Sequence, residues 1–224
     1  MPEISGFSAF LIGLAGGVHC VGMCGGIVTA LRAATPDQKN AFPFTLSYNF
    51  GRITSYTLAG ALAGGLGQLT TAVLPYAAIG LSLFSAIMLA CLALYLGQWW
   101  QGLRHLEQAG GKLWRHIQPL SVRFIPFKTP WHALPYGFIW GWLPCGLVYS
   151  TLTWSLTAGT ALDGAMLMLC FGLGTLPTLL AASLGASYLV MAFKHPKFRQ
   201  VIALSLFIYA FFLIYRIMGS ISAL

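Results

Sequence analysis

The sequence predicts an all-α integral membrane protein, with six transmembrane helices arranged as two inverted three-helix repeats. Three observations lead there. Of 224 residues, 58% are hydrophobic and only 7% charged, where a soluble domain carries about 25% charged residues. Six apolar stretches are each long enough for a bilayer, which takes about 20 residues per helix. The cysteine-bearing motif of the first stretch also has a counterpart in the fourth.

The six stretches run Phe7–Leu31, Leu46–Leu66, Tyr76–Trp99, Leu134–Leu156, Gly164–Ala192 and Val201–Ser220. They leave little room for a soluble domain, so residues 1–224 form one transmembrane domain. Repeat one covers about 5–99, a basic connection about 100–131, and repeat two about 132–224. The start, "MPEISGFSAFLIG", has neither a basic n-region nor a small-residue cleavage site. The first stretch is therefore expected to be retained.

Orientation follows from charge. The first connection carries Arg32 and Lys39, with Arg52 just inside the next span. The third carries Arg104, Lys112, Arg115, Arg123 and Lys128, and the fifth Lys194, Lys197 and Arg199. The second has no charge and the fourth only Asp163. Positive residues mark the cytoplasmic side, which puts both termini outside. This alternation accounts for the net charge of +8 and the pI near 9.5 without a nucleic-acid partner. The third connection has the composition of an interfacial amphipathic helix, though a plain membrane-surface linker is the preferred reading.

The repeat rests on two consecutive spans. "GGVHCVGMCGG" corresponds to "WGWLPCGLVYS", which aligns Cys20 with Cys145. "NFGRITSYTLAGALAG" corresponds to "CFGLGTLPTLLAASLG", which matches Phe50-Gly51 to Phe171-Gly172. Three spans per half means the second half enters from the opposite side. Inverted repeats build sites near the midplane, at broken helices. Pro144 is expected to break span four just before Cys145, since proline lacks a backbone donor. Gly16, Gly17, Gly25 and Gly26 are expected to loosen span one around Cys20, and Pro177 to loosen span five. Gly60, Gly64 and Gly65 read as helix packing.

Of the five cysteines, Cys91 and Cys170 sit in featureless apolar runs and read as packing. Cys20 and Cys145 occupy matching positions and read as a reversible dithiol for thiol–disulfide exchange. Span one also offers soft ligands on neighbouring helical positions: Cys20, Cys24, Met23 and His19 form a candidate Cu(I) site. The Cys-x-x-x-Cys spacing is not that of a local redox pair. Asn49, Arg52, Tyr56 and Tyr149 are second-rank polar positions. Asn49 is a support candidate, bonding across helices or capping span two, and Arg52 is read as snorkelling to the surface.

The six spans, a cysteine in spans one and four, and "LPCG" at Leu143–Gly146 resemble the transmembrane cytochrome c biogenesis and thiol–disulfide interchange family of CcdA and the DsbD membrane domain. "HCVGMCGG" with "GWLPCGLVY" is most similar to a branch labelled UreH-like transmembrane domain or sulfite exporter TauE/SafE-like. The resemblance implies a bacterial inner-membrane relay. Electrons would pass from cytoplasmic thioredoxin through Cys20 and Cys145, with Pro144 flanking, to an extracytoplasmic thiol acceptor. On that reading the chain acts as a thiol–disulfide oxidoreductase in cytochrome or oxidase maturation. The motif departs from the family at His19, where a proline is expected, and at the additional thiol Cys24. Those departures support an alternative, a Cu(I) transporter or copper-handling protein for oxidase assembly with a copper acceptor partner. A non-catalytic assembly scaffold is the third reading.

Overall fold

The computed structural model describes residues 6–17, 20, 41–74, 77–122, 124, 125, 127, 129–143, 145–183 and 196–222. Among them the chain is helical throughout, with short turns. The helices are α1 (Gly6–Gly17), α2 (Ala41–Val73), α3 (Ala77–Leu96), α4 (Leu103–Val122), α5 (Pro130–Trp140), α6 (Gly146–Ser155), α7 (Ala161–Ser183) and α8 (Pro196–Ser222).

Two of them, α3 from Ala78 and α7, are long and apolar enough to cross a membrane, and Gly6–Gly17 and Ala203–Gly219 are shorter apolar helices. The other expected spans carry a physical reason for a weaker signal. Glycine, serine and threonine dilute the hydropathy of α2. Span four is split into α5 and α6, of 11 and 10 residues. The described part of span one stops short, and the rest of it lies outside the described residues, as do residues 184–195.

Helix α2 is the centre of the bundle. At 33 residues it is about 50 Å long at 1.5 Å per residue, well beyond the expected Leu46–Leu66. Its proline, Pro43, sits in the first turn, where the missing donor costs nothing. Hydroxyls of Thr54, Thr57, Thr70 and Thr71 bond back to carbonyls one turn earlier, which keeps polar groups satisfied on an apolar surface.

α2 lies between α5 and α7, and glycines set both approaches. A Cβ on Gly60 would strike the Gly164 carbonyl, and one on Gly164 the Gly60 carbonyl; Gly64 faces the Thr160 carbonyl in the same way. As the α2 residue rises from Ile53 through Gly60 to Gly64, its partner falls from Gly172 through Gly164 to Thr160. The two helices are therefore antiparallel. Against α5 the contacts rise together, Tyr48 with Gly137, then Arg52 and Ser55 with Gly141, so α2 and α5 run parallel. Gly13 of α1 and Gly174 of α7 meet each other's backbones at Phe171 and Phe10.

The remaining helices close the bundle. α3 packs on α8 and α6, and Ser85 Oγ donates to the Thr153 carbonyl at 2.5 Å. Such interhelical bonds replace the water that a bilayer lacks. The basic connection is more than a linker. α4 is an amphipathic helix whose apolar stripe turns inward, with Leu103 and Trp114 buried and Trp114 edge-on to Trp140 at 5.2 Å. His105, Lys112, Arg115 and His116 face outward.

Pro177 does not interrupt α7, contrary to the sequence expectation. Packing of α7 on α2 and α1 holds the helix across one missing bond, and Thr175 Oγ1 donates to the Gly172 carbonyl in the same turn at 2.8 Å.

Two alanine substitutions separate close approach from propensity. Gly60→Ala is expected to destabilise by about 1–3 kcal/mol, because α7 must move. Gly80→Ala, where nothing lies within 4 Å, is expected to be neutral or stabilising by up to about 1 kcal/mol. Thermal unfolding in detergent measures both.

Candidate functional site

Span four breaks between Trp140 and Gly146, and the break carries Cys145. Trp142 and Leu143 close a turn, their amides donating to the Ile139 and Trp140 carbonyls. Cys145 then adopts an extended conformation as the N-cap of α6, at φ −121° and ψ 144°. Its carbonyl accepts from the Tyr149 amide at 3.1 Å. The break is pinned to α2, since a Cβ on Gly141 would collide with Ser55 and the Arg52 carbonyl. The expected interruption before Cys145 is therefore present, while Pro144 itself lies outside the described residues.

Cys20 and Cys145 are 2% and 6% exposed and belong to one hydrophobic cluster with Tyr56, Leu147, Val148 and Phe171. Gly16, one turn before Cys20, faces Leu147, in the first turn after Cys145. The four described cysteines, Cys20, Cys91, Cys145 and Cys170, form no disulfide with one another. Cys91 and Cys170 are half-buried, and Cys170 packs against Gly6.

Gly16 and Gly17 sit at a close helix contact. α1 is helical through both. Their hydrogens face Leu147 and Thr178 so closely that a side chain would collide. Close packing is thus one role of both positions.

The residue that sequence reasoning undervalued is Arg52. It is 3% exposed, and no other Lys, Arg, Asp or Glu appears among the described buried side chains. Its Nη2 donates to Cys20 Sγ at 3.3 Å, and its Nε donates to the Tyr56 hydroxyl at 2.7 Å. The guanidinium carbon lies 5.1 Å from the Tyr56 ring centroid, within cation–π range. Tyr56 is itself buried, tilted against Phe171 at 5.7 Å. Arg52 therefore does not snorkel; it points into the core at a thiol. The available signals were an arginine inside an apolar span and a tyrosine four residues on, on the same helical face.

Asn49 does not cap α2, which begins eight residues earlier at Ala41, and among the described residues it shows no bond to another helix. Its amide donates to the Thr45 carbonyl of its own helix at 2.8 Å. His19, Met23, Cys24, Gly25 and Gly26 lie outside the described residues. Of the candidate Cu(I) ligands only Cys20 is thus placed. Among the described residues no three His, Cys, Asp or Glu side chains gather around one point.

An apolar cavity of about 550 Å³ opens beside α6. Leu62 and Leu66 of α2, Phe84 and Met88 of α3, and Trp142 and Tyr149 line it, and Gly146 brings its wall to the residue after Cys145. The geometry thus provides two buried thiols in one core, a cation on one of them, and an apolar cavity that reaches the residue after the other.

A family model described as the cytochrome C biogenesis protein transmembrane region matches residues 8–212. The chain belongs to this family. It is a multi-pass membrane protein of the cytochrome c biogenesis and thiol–disulfide transport kind, with a lipid bilayer as its surroundings. Searches of curated proteins and of solved structures gave no match.

The polar residues of α2 in this cytochrome c biogenesis family member should differ in weight. Tyr56→Phe removes a hydroxyl bonded to a buried cation and is expected to cost about 1.5–3 kcal/mol. Asn49→Ala removes an intrahelical bond and is expected to cost about 1 kcal/mol. Thermal unfolding of the purified variants in detergent ranks them.

Proposed function

We propose that the chain is a thiol–disulfide relay of the bacterial inner membrane, with Cys20 and Cys145 as its exchanging pair. The single observation that carries this reading is the burial of both thiols in one cluster. One sits at a helix break and the other beside a buried cation. Reduced thioredoxin on the cytoplasmic face and an extracytoplasmic thiol protein are the proposed donor and acceptor. Cytochrome or oxidase maturation is the proposed purpose.

The same reading includes six spans in two inverted repeats, with both termini outside. Helix directions support it. Alternating spans require α2 antiparallel to α7 and parallel to α5, as their glycine contacts run. Exchanging α1 with α5 and α2 with α7 also carries the α2–α5 contact onto the α7–α1 contact. Gly51 faces the Leu134 carbonyl and the Phe138 amide; Gly174 faces the Phe10 carbonyl and the Leu14 amide. This correspondence pairs Gly51 with Gly174, two residues beyond the Gly172 of the sequence alignment.

Thiol trapping with a bulky maleimide tests the relay. The wild type should show two mobility states whose ratio follows the redox state of thioredoxin. Cys20→Ser and Cys145→Ser should each abolish the shift, and one of them should accumulate a mixed disulfide. An unchanged shift in both, with no mixed disulfide, would sink the reading. Cys24→Ser should keep the shift, whereas a Cu(I) site would lose its metal without that thiol.

A further inference from the structure

We propose that Arg52 is the counter-charge of the Cys20 sulfur, carrying the negative charge that exchange places there, a role that rests on the relay reading above. The chemistry makes that charge unavoidable. Cys20 gives up its proton, and its sulfur attacks one sulfur of a substrate disulfide. The substrate S–S bond breaks, and the departing sulfur leaves with the electron pair and takes a proton. Cys145, deprotonated in turn, attacks the Cys20 sulfur of the mixed disulfide. The Cys20–Cys145 bond forms, and the second substrate sulfur leaves with its pair and a proton. Two electrons and two protons have then passed to the substrate. When a reduced thiol protein restores the pair by attacking Cys145, Cys20 is the sulfur that departs as an anion. Cys20 thus bears charge as nucleophile in one half-cycle and as leaving group in the other.

An unbalanced anion in an apolar core is costly. Arg52 Nη2 at 3.3 Å from Cys20 Sγ meets that cost directly. Arginine suits the task because it stays protonated in any surroundings and presents several donors in a rigid plane. The plane is fixed from its other edge. Nε donates to the Tyr56 hydroxyl at 2.7 Å, and the Tyr56 ring lies 5.1 Å from the guanidinium carbon. Tyr56 is a positioning residue, since it acts through Arg52. The backbone of Arg52 is held as well, because Gly141 admits no side chain between its carbonyl and the α5–α6 break. One residue therefore links the sulfur in span one to the helix break that carries Cys145.

The test reads Cys20 alone, in the full-length protein with Cys24, Cys91, Cys145 and Cys170 replaced by serine. The probes are two methanethiosulfonates of similar size, one ending in a sulfonate and one in a quaternary ammonium. A cation beside the sulfur favours the anionic probe. Arg52→Gln is expected to lower the sulfonate-to-ammonium rate ratio at Cys20 by about tenfold, a modest share of the Coulomb energy available at this distance. Arg52→Lys, which keeps the charge, should stay within about threefold of the parent. A Cys91-only protein carrying the same substitutions should show an unchanged ratio, as a purely structural disturbance would not be confined to Cys20. A fall of about threefold or more in Arg52→Gln with Cys91 unmoved supports the assignment; a smaller change overturns it. Should Arg52→Gln fail to fold, Tyr56→Phe replaces it. Freed at Nε, the guanidinium should drift from the sulfur and lower the ratio by about threefold, and an unchanged ratio overturns the assignment. The readout needs neither Cys145 nor a partner. Loss of the charge effect with trapping intact removes the role of Arg52 alone. The reverse result removes the relay and leaves the charge pair standing.

Discussion

Backbone-to-backbone contact between helices is the constraint on which the rest of this structure depends. In a bilayer, lipid tails are as apolar as leucine, so burying apolar surface gives helices little reason to associate. What remains is van der Waals contact and interhelical hydrogen bonding, and both need close approach. α2 achieves it on two sides, with Gly51 and Gly137 at α5, and with Gly60, Gly64 and Gly164 at α7. Carbonyl oxygens sit where side chains would otherwise be. Those crossings fix the rotation of α2 about its axis, and that rotation aims Arg52 inward and Phe50 outward.

A buried arginine is a poor device for stability. Desolvating a guanidinium costs more than a few neutral hydrogen bonds return, and intramembrane charges are rare and usually functional. Here the surroundings look built to hold it: a hydroxyl, an aromatic face and a sulfur at one end, and a glycine-filled backbone contact at the other. A leucine at this position would have served packing at lower cost. The placement makes sense if charge at Cys20 has to be balanced during a reaction.

The helical, membrane-bound character of the chain and its family were legible because each shows in one-dimensional properties: composition, run length and the cysteine motifs. The break at Cys145 was legible for the same reason, since Gly-Trp-Leu-Pro-Cys-Gly has no good helical reading. What could not be read depends on a second helix. Gly16 and Gly17 look like flexible points in isolation, yet Leu147 and Thr178 press on them. Pro177 looks like a break, yet neighbours on two sides carry the helix past it. Arg52 lies near the basic end of span two and reads as snorkelling until α2 proves to begin at Ala41. The longer helix places Arg52 three turns in, beyond easy reach of the surface. Under the proposed exchange of halves, the contacts pair Gly51 with Gly174, two residues from the Phe50-Gly51 to Phe171-Gly172 match of the sequence. Gly174 and Gly51 make alike backbone contacts, which no motif in the sequence announces.

That corrected register bears on direction. Under the proposed exchange of halves, Gly51 matches Gly174, so Arg52 matches Thr175. Thr175 is buried and gives its hydroxyl to the Gly172 carbonyl of its own helix. One half thus places a cation at its thiol, while the corresponding position in the other half holds a neutral side chain. Two sulfurs in unequal fields exchange unequally, since the one whose anion is better stabilised departs more readily. A symmetric pair would pass electrons either way with equal ease. In the proposed relay, breaking the symmetry at this position would give the pair a preferred leaving sulfur, and with it a preferred order of attack. The inequality of the motifs, a histidine and two thiols in one half against a proline and one thiol in the other, then has a counterpart in the helices behind them.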